Sequence, residues 1–239
     1  MNRILFESSE ISGGVATCSD ARAEHILSVL HGEVGQTLKT GELDGRIGTG
    51  EIVSIEGQTV AIRVSHMEES LQPWCDLVLA PPRPRVMKRL LPQLATLGVG
   101  TIVLVGAKKV EKDFWGATLL KEENFRPLFV DGLMQAGTSV MPRLETRRNF
   151  RRFVTDELDA LFPTANRVVG HPGGVSGSPV GREGRLLLAV GPEGGWTDDE
   201  VELLESRGFS RQSLGSRILR TDTALVALLA WHCGCCQHV

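Results

Sequence analysis

The spacing of apolar residues changes near residue 70 and divides the chain into two parts. Before that point, the stretch GQTLKTGELDGRIGTGEIVSIEGQTVAIRVSHM alternates short β-branched segments with glycine turns. Such alternation predicts a small antiparallel barrel or sheet. The sequence therefore predicts an N-terminal β domain over residues 1–70 and a second domain over residues 71–239.

One helix is predicted within the N-terminal part, over the stretch DARAEHILSVLH. Asp20 is suited to cap this helix, because its carboxylate can accept a hydrogen bond from a free amide of the first turn. Ile26, Val29 and Leu30 recur at helical spacing and are expected to share one face.

The second part alternates predicted strands and helices. This order predicts an α/β domain whose parallel sheet is covered by helices on both faces. The glycine-rich stretch from Gly170 to Gly184 has the composition of a flexible loop. The predicted elements are, in order, the strand CDLVLA, the helix PRVMKRLLPQLATLG, the strand TIVLVGA, a helical span from about Ala117 to Ala136, the segment VMPRLE, the helix NFRRFVTDELDALF, the strands RVVG and LLLAVG, the helix TDDEVELLESRG, the short strand RQSLG and the helix DTALVALLAWHC.

Composition places the chain among folded proteins of the cytoplasm. It has 239 residues, of which 41% are hydrophobic, so it can bury a normal core. No apolar run approaches the roughly 20 residues that span a bilayer, and the N-terminus MNRILFESSE lacks the apolar stretch of a secretory signal. We therefore expect a cytoplasmic protein with no membrane partner.

The formal net charge of −3 argues against a protein that coats nucleic acid nonspecifically. Two basic stretches could still meet RNA phosphates locally, RPRVMKR from Arg83 to Arg89 and RRNFRR from Arg147 to Arg152. Each is equally typical of a solvated helix face, so charge alone leaves both interpretations open.

Potential metal ligands crowd into the stretch HCGCCQH near the end of the chain. A structural zinc site usually needs a second ligand pair elsewhere in the sequence, and none is evident. We therefore expect no metal, and a helix that ends near Gly234 with a frayed tail is the simpler interpretation. The potential ligands are His232, Cys233, Cys235, Cys236 and His238.

The stretch VGPEGGWTDDE, from Val190 to Glu200, lies between a predicted strand and a predicted helix. Thr197 and Glu200 have the spacing of a capping box, which predicts a helix from about Asp198 with its free amides facing the loop. The glycines can adopt backbone angles closed to other residues and let a ligand approach the main chain. A tight turn and a ligand-binding loop both fit this stretch. The chain lacks the G-x-G-x-x-G and G-x-x-x-x-G-K-[ST] signatures of common nucleotide sites.

A second stretch, LGSRILRTDTALVALL from Leu214 to Leu229, also runs from a short strand through a loop to an apolar helix. Together with LLLAVGPEGGWTDDE, about twenty residues earlier, it closely resembles the C-terminal signature of the RsmE family. These are bacterial 16S ribosomal RNA uridine N3-methyltransferases of the SPOUT superfamily. Each motif is moderately specific alone, and the two motifs in this order are a strong indication of the family.

The resemblance covers nearly the whole chain. It implies a PUA-like β-barrel RNA-binding domain joined to a trefoil-knotted SPOUT domain with a parallel sheet. It also implies a homodimer, and S-adenosylmethionine bound in the knot. Residues outside the two motifs that fit the family are Arg3, His25, Val29, Leu30 and Gly35, then Leu97, Gly98 and Val99, and finally His171 with Pro172.

Carried over residue by residue, the resemblance implies three cofactor-binding segments. Backbone groups there would recognise the adenine edge and the ribose hydroxyls, while Leu214, Ile218 and Leu219 would pack against the adenine. The implied cofactor-binding residues are Gly170, His171, Pro172, Gly191, Pro192, Glu193, Gly194, Gly195, Leu214, Gly215, Ile218 and Leu219.

The implied reaction is an attack of uridine N3 on the sulfonium methyl group. N3 is protonated at neutral pH, so the enzyme must help it lose that proton and stabilise the resulting anion. Arg217 and Arg220 are the expected catalytic residues, which would stabilise the uracil oxygens or anchor a phosphate. Glu193 is expected to accept loop amides rather than to act as a base. The expected RNA-binding residues are Arg3, His25, Arg83, Arg85, Lys88 and Arg89.

Several positions depart from the family pattern, and all of these changes except the mild Asp222 remove expected charges. The leading interpretation remains an S-adenosylmethionine-dependent methyltransferase that acts on 16S ribosomal RNA or the small ribosomal subunit. The alternatives are a methyltransferase for another RNA site and a diverged RNA-binding or ribosome-assembly protein with little or no methyl transfer. The departures are Gln93 and Thr96 where the family has lysine and glutamate, Met134 and Thr138 in its EQxxR segment, His31 for arginine and Asp222 for glutamate.

Overall fold

The structure, a computed structural model, describes residues 2–175 and 184–236. The chain divides into two compact units, one formed by Met1–Gln72 with Val130–Met141 and the other by Pro73–Phe129 with Pro142–Val239. The N-terminal unit thus takes in a segment from the middle of the chain, which the change of pattern near residue 70 gave no reason to expect. The domain boundary at residue 70 stays a prediction.

A six-stranded sheet forms the N-terminal unit. The strand order is β1-β4-β5-β6-β3-β2, and every pairing is antiparallel except the parallel pair of β1 and β4. Phe6, Ile52 and Ile62 lie at the centre of its buried cluster. The predicted β-rich N-terminal part is confirmed. The strands are β1 (Ile4–Phe6), β2 (Ile11–Ser12), β3 (Val15–Cys18), β4 (Thr37–Glu42), β5 (Ile47–Glu56) and β6 (Thr59–Glu68).

The helix of this unit begins as predicted but changes its winding. Helix α1 (Ala21–Glu24) is capped by Asp20, which accepts a hydrogen bond from the backbone N–H of Arg22 at 2.9 Å. A π-helical turn, His25–Val29, follows directly. Its wider turn displaces the residues after Ile26, so Ile26 is buried while Val29 and Leu30 are exposed. The predicted common face of these three residues is therefore not a packing face, since only Ile26 of the three is buried.

An all-parallel, six-stranded sheet forms the second unit, in the order β12-β10-β11-β7-β8-β9. Every residue of β7 and β11 is buried, as expected for central strands covered on both faces. The parallel sheet is therefore confirmed. The strands are β7 (Cys75–Leu79), β8 (Val99–Val105), β9 (Arg143–Arg147), β10 (Asn166–Val175), β11 (Leu186–Val190) and β12 (Ser210–Gln212).

Helices cover both faces of this sheet, as predicted. Val78, Val103 and Val169 belong to one buried cluster together with side chains of α5 and α6. Neighbouring residues along each strand point to the opposite face. There, α2 contacts β8, and α7 contacts β10 and β11. The helices are α2 (Pro84–Thr96), α3 (Glu122–Ala136), α4 (Phe150–Arg152), α5 (Leu158–Leu161), α6 (Asp198–Glu205) and α7 (Thr221–Cys236).

Three predicted elements differ from the structure. The predicted loop from Gly170 onward is wrong for its first six residues, because β10 continues to Val175 and shifts register on β12. Residues 176–183 of that loop lie outside the described residues. The predicted helix NFRRFVTDELDALF contains a π-helical turn, Phe153–Glu157, between α4 and α5. The helical span predicted from Ala117 begins with a 3₁₀ turn, and its α-helical part starts at Glu122.

Within residues 2–175 and 184–236, no helix is both long enough and apolar enough to cross a membrane.

Candidate cofactor site at the carboxyl edge of the parallel sheet

Residues of three neighbouring strands, β10, β11 and β12, and of the loops after β11 and β12 line one cavity of about 310 Å³. The carboxyl ends of parallel strands meet at one edge of a sheet, where α/β proteins commonly hold ligands. The volume falls within the roughly 300–1,000 Å³ that is typical of small-molecule pockets. We call this space the first cavity.

The first cavity brings together every residue predicted to bind a cofactor. They come from three stretches that are separate in sequence, so their convergence is a property of the fold rather than of one loop. The predicted residues that line it are Gly170, His171, Pro172, Gly191, Pro192, Glu193, Gly194, Gly195, Leu214, Gly215, Ile218 and Leu219.

Three positions around this cavity need glycine, one because of close packing and two because of their backbone angles. A Cβ at Gly191 would lie 2.9 Å from the backbone nitrogen of Trp196, closer than real Cβ contacts come. Gly195 and Gly215 have φ angles of 68° and 107°, in the region that favours glycine. These glycines therefore let the main chain adopt the close turns that border the cavity.

The loop after β11 is held from outside the cavity. The carboxylate of Glu200 accepts a hydrogen bond from the backbone N–H of Thr197 at 2.8 Å, which confirms the predicted capping box and the start of α6 at Asp198. Glu193 Oε1 accepts from the backbone N–H of Arg83 at 3.1 Å, as expected for a structural rather than a basic role. Lys109 Nζ donates to the carbonyl of Gly194 at 2.7 Å.

Trp196 forms part of the cavity wall. Its side chain is buried, and its ring packs against that of Phe150, with centroids 5.2 Å apart. Its Nε1 is buried and has no hydrogen-bond partner among the described residues. Leaving such a buried N–H without a partner costs free energy.

A polar pair that sequence reasoning missed supports the floor of the cavity. Gln212, at the end of β12, lines the cavity, and its Oε1 lies 2.8 Å from Nε2 of His232 on α7. Burial lowers the pKa of His232, which favours the neutral ring that can donate to this oxygen from Nε2. Gln212 could have been identified from its position at the carboxyl end of a parallel strand, where ligands commonly bind. No sequence signal links it to His232.

Other lining residues were also absent from the predicted set. These residues lie in the quoted motifs or at strand ends, and those positions could have identified them from the sequence. They are Val190, Trp196, Ser213, Thr221, Ala224 and Leu228.

The two arginines predicted to be catalytic lie in different places. Arg217 is exposed and lines the first cavity. Arg220 does not line it but lies in a groove between α2 and α7, with its Nε 3.6 Å from Asp222. Of these two arginines, Arg217 is the one that lines the first cavity of its own chain.

The basic residues predicted on α2 form an exposed row. Arg83 is paired with Glu111 at 2.9 Å, and Arg89 lies 3.4 Å from Asp222. Arg85 and Lys88 are exposed between them in sequence. Their placement agrees with the predicted RNA contact, which remains a prediction.

Arg3 is placed differently from its predicted role. Its guanidinium is buried and donates to three backbone carbonyls, those of Gly137 at 2.9 Å, Thr40 at 2.7 Å and Gly48 at 2.8 Å. Burial lowers the pKa of Arg3, although Glu68 opposes that effect. The expected RNA contact is not supported, because the donors of this side chain are engaged inside the N-terminal unit. His25 is partly buried, and its Nε2 is buried without a partner among the described residues.

Two of the five potential zinc ligands, His232 and Cys233, have side chains in the described part of the chain. No group of three or more potential metal ligands is found there. His232 faces Gln212, as described above. The side chains of Cys235 and Cys236, and residue His238, lie outside what the structure describes. Helix α7 continues to Cys236, two residues past the predicted end at Gly234.

The chain is similar in sequence to known RNA methyltransferases. The RNA methyltransferase domain family matches residues 69–233. The ribosomal RNA small subunit methyltransferase E of Treponema pallidum is 31% identical, over 96% of this chain and 90% of its own. The ribosomal RNA small subunit methyltransferase E 2 of Borreliella burgdorferi is 23% identical, over 97% and 96%.

The fold is also similar to that of solved structures. The crystal structure of a ribosomal RNA small subunit methyltransferase E from Neisseria gonorrhoeae, bound to S-adenosyl methionine, matches with a TM-score of 0.75. The two chains are 21% identical, and the match covers 96% of this chain and 95% of the other. This likeness, with the parallel sheet and the separate β-rich unit, confirms the predicted α/β fold of two domains.

Proposed function

This chain belongs to the RNA methyltransferase family that includes the ribosomal RNA small subunit methyltransferases E, and we propose that it transfers the methyl group of S-adenosylmethionine to N3 of a uridine in 16S ribosomal RNA. The observation that carries the proposal is the convergence on the first cavity of three segments that are separate in sequence, around Gly170, Gly191 to Gly195 and Leu214 to Leu219. The names of the relatives support small-subunit ribosomal RNA as the substrate.

The residues of the first cavity fit S-adenosylmethionine. The main chain of Gly194 and Gly195 lines the cavity and can offer polar groups to an adenine edge and to ribose hydroxyls. Leu214, Ile218 and Leu219 offer an apolar wall for the adenine ring, and Ile218 is 87% exposed, so a ligand would cover it. Lys109 is held on the Gly194 carbonyl and is not among the cavity-lining residues, whereas the exposed Arg217 does line the cavity.

Bound in this cavity, S-adenosylmethionine would supply an electrophilic methyl group. The chain itself must then position the uracil and stabilise negative charge as N3 loses its proton. Arg217 lines the cavity and is exposed, so its guanidinium can approach a uracil oxygen. We assign Arg217 this role.

The proposal also includes a homodimer and a cytoplasmic location, both implied by the family. Arg220 lies in the α2–α7 groove, away from the first cavity of its own chain. Its predicted catalytic role therefore requires a second copy that brings the groove close to a cavity. Sedimentation of the purified protein would test this part separately from the chemistry.

Transfer of labelled methyl groups tests the proposed activity. Small ribosomal subunits from a strain that lacks this protein are incubated with it and with S-adenosylmethionine carrying an isotope in the methyl group. We expect the label in uridine of 16S ribosomal RNA. No label in uridine would contradict the activity, and label on another RNA would indicate a different site.

Calorimetry with adenosylhomocysteine separates cofactor binding from turnover. We expect a heat of binding from the wild-type protein. Binding without methyl transfer would favour the alternative of a diverged RNA-binding or assembly protein. The absence of both would contradict the cofactor assignment itself.

A further inference from the structure

The RRNFRR stretch, Arg147 to Arg152, contains arginines of two kinds. Arg147 is bound between two carboxylates, Glu145 at 2.8 Å and Glu157 at 2.6 Å. Arg148 and Arg151 are exposed, and no ion pair in the described part of the chain includes either of them. Arg148 instead extends over the ring of Trp115, with its guanidinium carbon 5.8 Å from the ring centroid. Arg147 is therefore structural, whereas its neighbours keep their charge available.

These two arginines line a second cavity, of about 370 Å³, beside the first. Lys108 lines it too, from the loop after β8, while Arg148 and Arg151 come from the segment after β9. Both strands end at the carboxyl edge of the parallel sheet, the edge that also carries the first cavity. Lys108 is exposed and likewise belongs to no ion pair within residues 2–175 and 184–236.

The second cavity is attached to the cofactor loop by direct contacts. Phe150 lines the second cavity and packs against Trp196, which lines the first. The backbone N–H of Lys108 donates to Glu200 at 2.7 Å, in the first turn of α6. The two cavities therefore share one wall, the segment that runs from the cofactor loop into α6.

The charges around the second cavity favour an anion on its arginine side. Glu200 also lines it, but its two oxygens accept from the backbone N–H groups of Lys108 and Thr197. Asp199 is the other acidic lining residue, and it is exposed on the α6 side. Lys108, Arg148 and Arg151 therefore concentrate positive charge at this cavity, although the whole chain has a formal net charge of −3. Arginine donors match phosphate oxygens well.

We propose that Lys108, Arg148 and Arg151 bind backbone phosphates of the RNA substrate that flank the nucleotide in the first cavity. The inference rests on the proposed function, because it takes RNA as the substrate of this edge of the sheet. It adds a contact surface that is separate from the predicted basic row on α2.

Binding of RNA at several salt concentrations tests this surface. The probes are 16S ribosomal RNA transcribed in vitro and intact small subunits. The variant R148Q/R151Q should bind the transcript about tenfold more weakly near 0.1 M salt, because phosphate contacts carry most of the salt-dependent affinity. The slope of log K against log salt should fall by about 1.4, since each contact to single-stranded RNA contributes about 0.7. Lys108→Gln should act in the same direction with a smaller effect.

Arg143→Gln is the matched control. Arg143 is also exposed and lies on the same strand, β9, but at its amino end, opposite to the end that precedes Arg148. This change removes one positive charge, as each of the two changes in R148Q/R151Q does, and should leave RNA affinity near the wild-type value. Asp199→Asn should strengthen RNA binding, because it removes the negative charge that faces the phosphates. Adenosylhomocysteine affinity should be unchanged in all of these variants.

The proposal is overturned if R148Q/R151Q and Lys108→Gln bind RNA as tightly as Arg143→Gln does. A loss of adenosylhomocysteine binding in proportion to the loss of RNA binding would also overturn it, since the residues would then act through the cofactor loop. The two proposals can fail independently. Wild-type protein that binds RNA through these cations without methyl transfer supports the surface and contradicts the activity.

Discussion

The rings of Trp196 and Phe150 pack with centroids 5.2 Å apart and planes inclined by 32°. Trp196 lines the first cavity and Phe150 lines the second, so this pair forms the wall between them. Phe150 begins α4 directly after its cap, Asn149. The position of the cofactor loop therefore depends on a segment that follows a different strand, β9.

Phe150→Leu should weaken cofactor binding as well as stability. The smaller side chain leaves space behind Trp196, and we expect a destabilisation of about 1–3 kcal/mol. Phe162→Leu is the matched control, because Phe162 is buried in the same cluster, 6% exposed against 5% for Phe150, and is not among the first-cavity residues. Both variants should lower the melting temperature, but only Phe150→Leu should lower adenosylhomocysteine affinity in calorimetry. Equal affinities would show that the wall does not support the loop.

Gly191→Ala should reduce cofactor affinity with little loss of fold. The new Cβ would meet the backbone of Trp196 at 2.9 Å and displace the cofactor loop. A displacement that costs about 1.4 kcal/mol of binding energy raises the dissociation constant tenfold. Gly194→Val is a weaker test, because a Cβ there first meets the flexible side chain of Lys109. Gly116→Ala, where nothing lies within 4 Å, should bind adenosylhomocysteine normally. An unchanged affinity for Gly191→Ala would argue against this loop as the binding segment.

Arg3→Ala should destabilise the N-terminal unit. It removes the donors to three carbonyls, and leaving buried acceptors unpaired costs roughly 1–3 kcal/mol each. The exposed pair of Arg46 and Glu69 provides the control, since Arg46→Ala should cost about 1 kcal/mol or less. Thermal unfolding would measure both. If Arg3→Ala melts like the wild type yet binds RNA poorly, the predicted RNA contact is right and the structural role is wrong.

Acid should lower stability partly through His232. Burial lowers the pKa of its folded form below the ordinary value of 6.5, so the unfolded chain binds a proton more readily. Stability is therefore highest above pH 6.5 and falls as the pH drops below that value towards the folded pKa. His232→Gln should lose this component, so the difference in melting temperature from the wild type should shrink between pH 7.5 and pH 5.5. A constant difference would contradict the assignment. His66 has the same direction of shift, from burial, and should account for part of the remaining acid sensitivity.

The first cavity could be predicted from the sequence because its residues lie in local motifs at strand ends. Gly191 and Gly195 follow an apolar strand and precede a capping box, and the ends of parallel strands meet at one edge. The pairing of Gln212 with His232 could not be predicted, since it depends on how α7 packs against β12. The hydrogen bonds of Arg3 could not be predicted either, because its acceptors come from strands and a loop that are distant in sequence.

The N-terminal helix shows where local patterns mislead. Ile26, Val29 and Leu30 have α-helical spacing, but the π-helical turn that begins at His25 changes which residues lie above one another. Helical periodicity cannot reveal a change of winding, because the same side chains fit either turn. The resemblance to a family, by contrast, gave the overall fold without any dependence on that turn.

The proposed methylation of uridine N3 is tested most directly by mass spectrometry of nucleosides from 16S ribosomal RNA. RNA from cells that lack this protein is compared with RNA from wild-type cells and from cells complemented with the wild-type or the Gly191→Ala protein. We expect one N3-methyluridine that is present in wild-type RNA, missing in the deletion strain, restored by the wild-type protein and reduced with Gly191→Ala. An identical N3-methyluridine content in wild-type and deletion strains would contradict the proposed function.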